Sequence, residues 1–286
     1  VTKVWNFKKE LVCLFGKPVA ENPTQHMMEA AFRHHGLDWR YITFEVDPKD
    51  LGDAVKGMRA CGLRGGNCTI PHKLAVIPHL DRLGESAAVM GAVNCIVRRG
   101  NELVGENTDG KGFVSSLREI VDPKGKRVVI LGAGGASRAI AVETALAGAA
   151  HIRILNRTAS KAQELAKLVA DKVKVAADGE AWKGDYKVPA GTDVLINATS
   201  IGLFPDVDAR IPLDMSTVSK SMVVADVIPN PPRTRLVREA EAKGCKVIDG
   251  LGMLVAQGVI GFEYWTGVKA DAGVMRRALQ EVFGGA

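Results

Sequence analysis

A chain of 286 residues, 47% apolar and 24% charged, can bury a sizeable core and has the composition of an ordinary soluble globular protein of one large or two modest domains. Its net charge of +6 is the balance of 38 basic and 32 acidic residues spread along the sequence. No basic run is interleaved with aromatics, which argues against a nucleic-acid partner and leaves a small anionic substrate or a phosphate-bearing cofactor as what the bias would collect.

The run "LVCLF" (11–15) is five residues long, too short for a signal-peptide core or a membrane span, so a soluble cytoplasmic protein with no membrane partner is expected. Cys13, Cys61, Cys68, Cys95 and Cys245 form no CxxC pair and no Cys/His metal spacing. They read as buried free thiols of a reducing compartment, and no metal site is expected.

In chain order, "LVCLFG" reads as a strand and "NPTQHMMEAAFRHHG" as a helix, with Asn22 able to cap, Pro23 at the first position and Gly36 at the stop. "WRYITFEV" is a strand, "PKDLGDAVKGMRACG" a helix, and "LRGGNCTI" a strand leading into a helix with Pro71 at its first position. Lys73 then falls in that helix's first turn, where the dipole disfavours a cation. "AVNCIVRR-GN-ELVGEN" is a hairpin around Gly100-Asn101.

After Asp122-Pro123 the rhythm becomes strand, glycine turn and helix ("KRVVILGAGGASRAIAVETALAG"), then strand ("HIRILNR"), helix ("SKAQELAKLVA") and a short strand "VKVAA". Three further apolar strands, "TDVLINATS", "SMVVADVI" and "CKVIDG", complete a doubly wound parallel sheet, and the tail is helical. The fold class is α/β with two domains: residues 1–112 for substrate binding and catalysis, with helices of 250–286 packing back on them, and a Rossmann-type domain over 113–249.

"VVILGAGGASRA" places Gly132-Ala133-Gly134-Gly135-Ala136-Ser137 after a strand and into a helix, where glycines permit a tight turn and a pyrophosphate can sit on the helix N-terminus. The third fingerprint position holds Ser137 instead of glycine. At the end of the next strand an NAD site usually carries a carboxylate for the ribose. Here "NRTASK" offers Arg157, Thr158 and Lys161, which suit a 2′-phosphate, so NADP is favoured over NAD; a basic turn capping the next helix through Thr158 or Ser160 is compatible with the same residues.

A nicotinamide needs a partner that exchanges a proton with the substrate oxygen. Lys73 and Asp109 form a reasonable pair, the aspartate orienting the lysine while dipole and burial lower its pKa. Asn67, Thr69, Asn94 and Thr108 supply donors and acceptors for a polyhydroxylated ring. Each has a plainer reading: Asp109 as a cap for "GKGFVSSLREI", Lys73 as an exposed helix residue, Asn94 as a turn residue. His26 and His72 read as structural, and Cys68 and Cys95 as core.

The segments "GGNCTIPHK", "GAVNCI", "GENTDGKGF", "LGAGGASRA", "NRTASKA", "NATSIG" and "DGLGMLVAQG" resemble, in order and spacing, the shikimate dehydrogenase family from about Gly16 to Gly258. The resemblance implies reversible reduction of 3-dehydroshikimate to shikimate with NADPH, within the pathway to aromatic amino acids, some members using quinate with NAD. It implies Lys73 and Asp109 as the catalytic pair, and Asn67, Thr69, Asn94, Thr108 and Gln257 as substrate ligands. It assigns Gly132, Ala133, Gly134, Gly135, Ala136, Asn156, Arg157, Thr158 and Lys161 to the cofactor, and sets Thr199, Gly250 and Met253 near the nicotinamide.

Two departures stand out. The family's Ser-x-Ser-Pro stretch for the substrate carboxylate is replaced by "GKPVAENPTQHMM", two residues shorter and without serine, so Asn22 and Thr24 are the nearest stand-ins. Pro229 occupies the place of a tyrosine in "DVIPNPP". The expected activity is therefore an NADP-dependent dehydrogenase of shikimate or a close hydroxylated ring carboxylate, in a divergent branch. Quinate or an amino analogue is the alternative substrate, and a non-catalytic NADP-binding regulator the alternative class. Either a monomer or a homodimer is compatible with this sequence.

Overall fold

The alternation of apolar strands and helices is realised as two six-stranded sheets. The computed structural model describes residues 7–283. The chain divides into two units, Val1–Asn107 with Gly258–Ala286, and Thr108–Gln257.

The first unit begins with β1 (Glu10–Gly16), α1 (Thr24–His34), β2 (Trp39–Glu45), α2 (Leu51–Ala60) and β3 (Gly65–Cys68). It continues through α3 (His72–Ala75), β4 (Arg82–Leu83), α4 (Glu85–Met90), β5 (Cys95–Arg99) and β6 (Glu102–Glu106). Its sheet order is β2-β1-β3-β5-β6-β4. β1 runs parallel to both neighbours, while β3-β5 and β5-β6 are antiparallel. β1 is buried from Val12 to Gly16, as an apolar run without polar alternation requires when both faces are covered. The β5–β6 hairpin turns through Gly100-Asn101, with Arg99 opposite Glu102 and Gly100 at φ 63°. That φ lies in the left-handed region that hairpin turns demand and glycine adopts without strain.

The second unit contains α5 (Thr108–Arg118), β7 (Arg127–Leu131), α6 (Gly135–Leu146), β8 (His151–Asn156), α7 (Ala159–Leu168) and β9 (Ala176–Ala181). It goes on to β10 (Val194–Asn197), β11 (Val223–Asp226), α8 (Arg235–Ala242), β12 (Lys246–Ile248) and the first turns of α9 (Gly250–Thr266). The order β12-β11-β10-β7-β8-β9 is wholly parallel. It is the doubly wound dinucleotide-binding arrangement, whose crevice opens at the carboxyl ends of the two central strands, β7 and β10. Val128 and Ile130 of β7 enter one core, and Val129 and Leu131 the other, so successive side chains serve opposite covered faces. The remainder of α9 and α10 (Ala272–Phe283) belong to the first unit. There Phe262 stacks on Phe32 of α1 at 5.2 Å, and the Trp265 indole N–H donates to the Ile96 carbonyl at 2.9 Å.

Several local expectations shift. α1 starts at Thr24, with Pro23 at the cap position and the Asn22 side chain accepting from the Thr24 N–H at 3.0 Å. The helix after β3 is a single turn with Pro71 just before it, so few peptide dipoles add up and the dipole penalty on Lys73 is small. The strand expected over 173–177 lies at Ala176–Ala181, because a π-helical turn continues α7 through Val173 and Lys174 then turns left-handed at φ 63°. α5 begins at Thr108, which puts Asp109 inside the first turn and not ahead of it. Cys61 is exposed, although the other four cysteines are buried.

Candidate active site

In the first unit, the β3–β5 pairing sets Asn67 opposite Cys95 and draws the predicted polar residues together. The buried Tyr41 hydroxyl donates to Asn67 Oδ1 at 2.7 Å, and Asn67 Nδ2 donates to the Asn94 carbonyl at 3.0 Å. Burial pushes the Tyr41 phenol well above its ordinary value, so it remains a donor and fixes the amide's orientation. One Asn67 N–H and one lone pair remain for a ligand. The Val93 N–H donates to the Lys73 carbonyl at 2.8 Å, and the Cys68 N–H to the Asn94 carbonyl at 2.9 Å, so the Lys73 turn is pinned to the segment that carries Asn94.

His72, fully buried, anchors the same turn through Nε2 and the Val46 carbonyl at 2.8 Å. It is structural, as the sequence suggests. The Thr69 N–H donates to the Phe15 carbonyl, placing Thr69 at the end of β1. Thr24 is buried in the start of α1, and Asn22 lines an open groove with Val19, Gln25, His26, Glu29 and Thr43. Burial pushes the Cys68 thiol up to about 12, which rules it out as a nucleophile near neutral pH.

In the second unit, Thr108, Asp109 and Gln257 share the region where α5 and α9 begin and meet. Thr108 is fully buried and its hydroxyl donates to Gln257 Oε1 at 3.3 Å, while Gln257 Nε2 donates to the Leu254 carbonyl at 3.0 Å. This close approach depends on Gly112, since a Cβ there would lie 2.5 Å from the Gln257 nitrogen. Asp109 is half-buried in the first turn of α5, the end of a helix that favours a carboxylate.

The glycine turn joins β7 to α6. Gly132 has φ 105°, and a Cβ on it would sit 2.8 Å from the Ala198 carbonyl oxygen. A Cβ on Gly134 or Gly135 would meet nothing within 4 Å, so the backbone at the α6 N-terminus faces open space. Ser137, at the third fingerprint position, is fully buried and its hydroxyl donates to the Ala198 carbonyl at 3.3 Å.

At the end of β8, Asn156 Nδ2 donates to the Thr158 carbonyl at 3.0 Å, while Arg157, Thr158 and Lys161 are exposed. Thr158 stands at the N-cap of α7 yet makes no side-chain cap bond, which leaves its hydroxyl for a ligand. Open amides on a helix N-terminus beside two exposed cations fit the pyrophosphate and 2′-phosphate of NADP.

Beyond β10, the expected Thr199 belongs to a cluster whose other members, Asn197 and Asp226, the sequence does not single out. Asn197 Nδ2 donates to Asp226 Oδ1 at 3.0 Å, and Asn197 Oδ1 accepts from both the N–H and the hydroxyl of Thr199, at 3.1 and 2.7 Å. Gly250 touches the same corner, where a Cβ would lie 2.0 Å from the Ile228 carbonyl oxygen; Met253 belongs to the core beneath. Among the described residues no group of three or more His, Cys, Asp or Glu could hold a metal ion, and no helix is long and apolar enough to cross a membrane.

A wholly parallel doubly wound sheet with this glycine turn, and a second α/β unit bearing a lysine among amides, define a nicotinamide-nucleotide oxidoreductase. The family models bear this out. Residues 14–96 match the shikimate dehydrogenase substrate binding domain, 116–202 match shikimate / quinate 5-dehydrogenase, and 250–280 match the shikimate 5'-dehydrogenase C-terminal domain. The shikimate dehydrogenase (NADP(+)) of Methanopyrus kandleri is 42% identical over 275 residues, 95% of each chain.

Among solved structures, a shikimate dehydrogenase in complex with NADP+ is 38% identical with a TM-score of 0.89, covering 98% of each chain. The 5-ketofructose reductase of Gluconobacter sp. strain CHM43 is 55% identical with a TM-score of 0.95, covering 97% of this chain and 100% of that one. The chain belongs to the shikimate dehydrogenase family, whose curated members at this similarity are NADP-dependent oxidoreductases.

Proposed function

We propose that this chain interconverts a ring ketone and the corresponding secondary alcohol with NADP(H), with 3-dehydroshikimate and shikimate as the pair its family membership supports. Lys73 and Asp109 act as the proton-transfer pair. In reduction the Lys73 ammonium gives its proton to the carbonyl oxygen; in oxidation the neutral amine takes the hydroxyl proton. Asp109 is the carboxylate partner of the lysine in this scheme. Asn67, Thr69, Asn94, Thr108 and Gln257 bind ring hydroxyls, and the residues from Gly132 to Ala136 with Asn156, Arg157, Thr158 and Lys161 hold the cofactor. When bound, NADPH supplies the hydride. The observation that carries this reading is the pinned Lys73 turn, its carbonyl bonded to Val93 N–H in the same loop that supplies Asn94. Five scattered cysteines that form no CxxC spacing favour a cytoplasmic setting.

A second reading of the substrate has its own support. The segment between β1 and α1 lacks the serines that hold a carboxylate, Asn22 spends its side-chain oxygen on the Thr24 N–H, and Pro229 stands where a phenol is usual. A site without those hydroxyls loses binding to an acid more than to a neutral polyol. The 5-ketofructose reductase from Gluconobacter is a likeness of 55% identity, against 38% and 42% for the curated shikimate dehydrogenases of Methanococcus aeolicus and Methanopyrus kandleri. Both observations favour 5-ketofructose as this chain's preferred ketone within the same chemistry.

Initial rates of NADPH and NADH oxidation with 3-dehydroshikimate and with 5-ketofructose test both readings. A kcat/KM at least about tenfold higher for one ketone assigns the substrate. No NADPH oxidation with either would overturn the function proposed here.

A further inference from the structure

We infer that Asp226 is a positioning residue for the cofactor: through Asn197 it fixes the Ala198–Thr199 segment against the glycine turn. The inference rests on the cofactor reading above and adds to it a residue that touches neither cofactor nor substrate in that scheme.

Asp226 ends β11 and is 1% exposed. The parallel register places it directly beside Asn197, the last residue of β10. Its Oδ1 accepts from Asn197 Nδ2 at 3.0 Å and from the Ile228 N–H at 3.1 Å. Its Oδ2 accepts from the Thr234 hydroxyl at 2.7 Å, and Thr234 in turn caps α8 by accepting from the Val237 N–H. These three donors to Asp226 are neutral, and an ionised carboxylate can only accept. The Asn197 amide therefore has one allowed orientation, with Nδ2 toward Asp226 and Oδ1 toward Thr199.

That orientation carries a consequence at the crevice. Asn197 Oδ1 holds the Thr199 N–H and hydroxyl, and Thr199 Oγ1 then accepts from the Ile201 N–H at 3.1 Å. A flipped amide would set Nδ2 against the Thr199 N–H, two donors facing each other, and the turn would lose its anchor. The same segment abuts the phosphate-binding turn: the Ala198 carbonyl accepts from Ser137 Oγ, and a Cβ on Gly132 would approach that carbonyl to 2.8 Å and Thr199 Cγ2 to 3.1 Å. A carboxylate on β11 thus sets the wall of a turn that follows β7, two strands away in the sheet. A buried carboxylate answered only by neutral groups is a costly choice if capping α8 were its sole task.

The test is NADP+ binding by calorimetry, beside steady-state rates, for the wild type, Asp226→Asn and Thr234→Val. Asparagine keeps the shape and its oxygen can stay toward the Ile228 N–H and Asn197, but a neutral amide oxygen accepts more weakly than a carboxylate, so the hold on Asn197 loosens. We expect the NADP+ Kd and KM to rise about tenfold, with kcat at saturation within about twofold of the wild type. Thr234→Val removes only the Oδ2 partner and the α8 cap, and should lower stability with the NADP+ Kd unchanged.

A folded Asp226→Asn protein with wild-type NADP+ affinity overturns the inference. So does Thr234→Val raising the Kd as much as Asp226→Asn, since that would assign the effect to α8. If Asp226→Asn does not fold, Thr199→Val decides: it cuts the anchored turn without touching the carboxylate, and an unchanged Kd refutes the inference. A wild-type chain that binds no NADP+ would overturn the cofactor reading itself, and this with it; wild-type binding with an indifferent Asp226→Asn overturns only the present inference.

Discussion

Asp226→Asn should change the pH dependence of stability in a direction that the burial of this carboxyl fixes. Desolvation raises its pKa from 3.8 to about 6, and the bonds from Thr234 and Asn197 offset only part of that rise. The folded chain therefore holds the Asp226 proton more tightly than the unfolded chain does. The group's favourable contribution is complete below about pH 4 and is lost as pH rises through 6. A difference of roughly 2 pKa units corresponds to about 3 kcal/mol. Asparagine does not titrate, so the stability of the wild type minus that of Asp226→Asn should fall by up to about 3 kcal/mol between pH 4 and pH 8. Urea unfolding of both proteins across that range measures the difference, since every other titrating group is common to the two. Parallel curves would show that the carboxyl has an ordinary pKa in the fold and would refute the desolvation argument.

Arg157→Ala should lower the preference for NADP over NAD, measured as the ratio of kcat/KM values, by roughly 1.5–3 kcal/mol for a lost charge-assisted phosphate contact; an unaltered ratio would remove Arg157 from the 2′-phosphate site. Gly132→Ala should cost roughly 1–3 kcal/mol of stability from backbone strain and weaken NADP+ binding as well, because a left-handed φ of 105° combines with a Cβ 2.8 Å from the Ala198 oxygen; thermal unfolding and calorimetry read the two effects. Asn22→Ala should raise the substrate KM more than it lowers kcat, with a loss of about 1 kcal/mol of stability from the bond it makes to the Thr24 N–H, and a normal KM would place the substrate away from the β1–α1 segment.

The glycine turn and the lysine motif are legible in the sequence because their chemistry is local. A strand, three glycines and a helix start lie within "VVILGAGGASRA", and Asn67, Thr69 and Lys73 lie within seven residues. The Gly100-Asn101 hairpin is legible for the same reason: two residues specify the turn. Asp226 is not, since its partner Asn197 stands 29 positions earlier and meets it only through the β10–β11 register. Tyr41 is hidden likewise, its hydroxyl serving Asn67 from a strand two places away in the sheet.

Where local reading fails, a tertiary contact has overridden a local signal. "VKVAA" has the composition of a strand, yet β9 takes Asp178 and Glu180 instead, pairing Asp178 with Arg153 of β8 through a 2.7 Å ion pair. Pro71 suits a helix start, but the turn it precedes is held by His72 to Val46 and by Lys73 to Val93, so it needs no longer helix.

The most direct measurement of the central claim is the turnover of Lys73→Ala at saturating ketone and NADPH, set beside its NADP+ Kd. Lys73 belongs to the first unit and the glycine turn to the second, so cofactor affinity should stay within about twofold of the wild type. With its proton-transfer group removed, kcat should fall by about 10²–10⁴-fold. A folded Lys73→Ala protein that keeps more than about half of the wild-type kcat would contradict the mechanism, because a general acid cannot be dispensable at saturation.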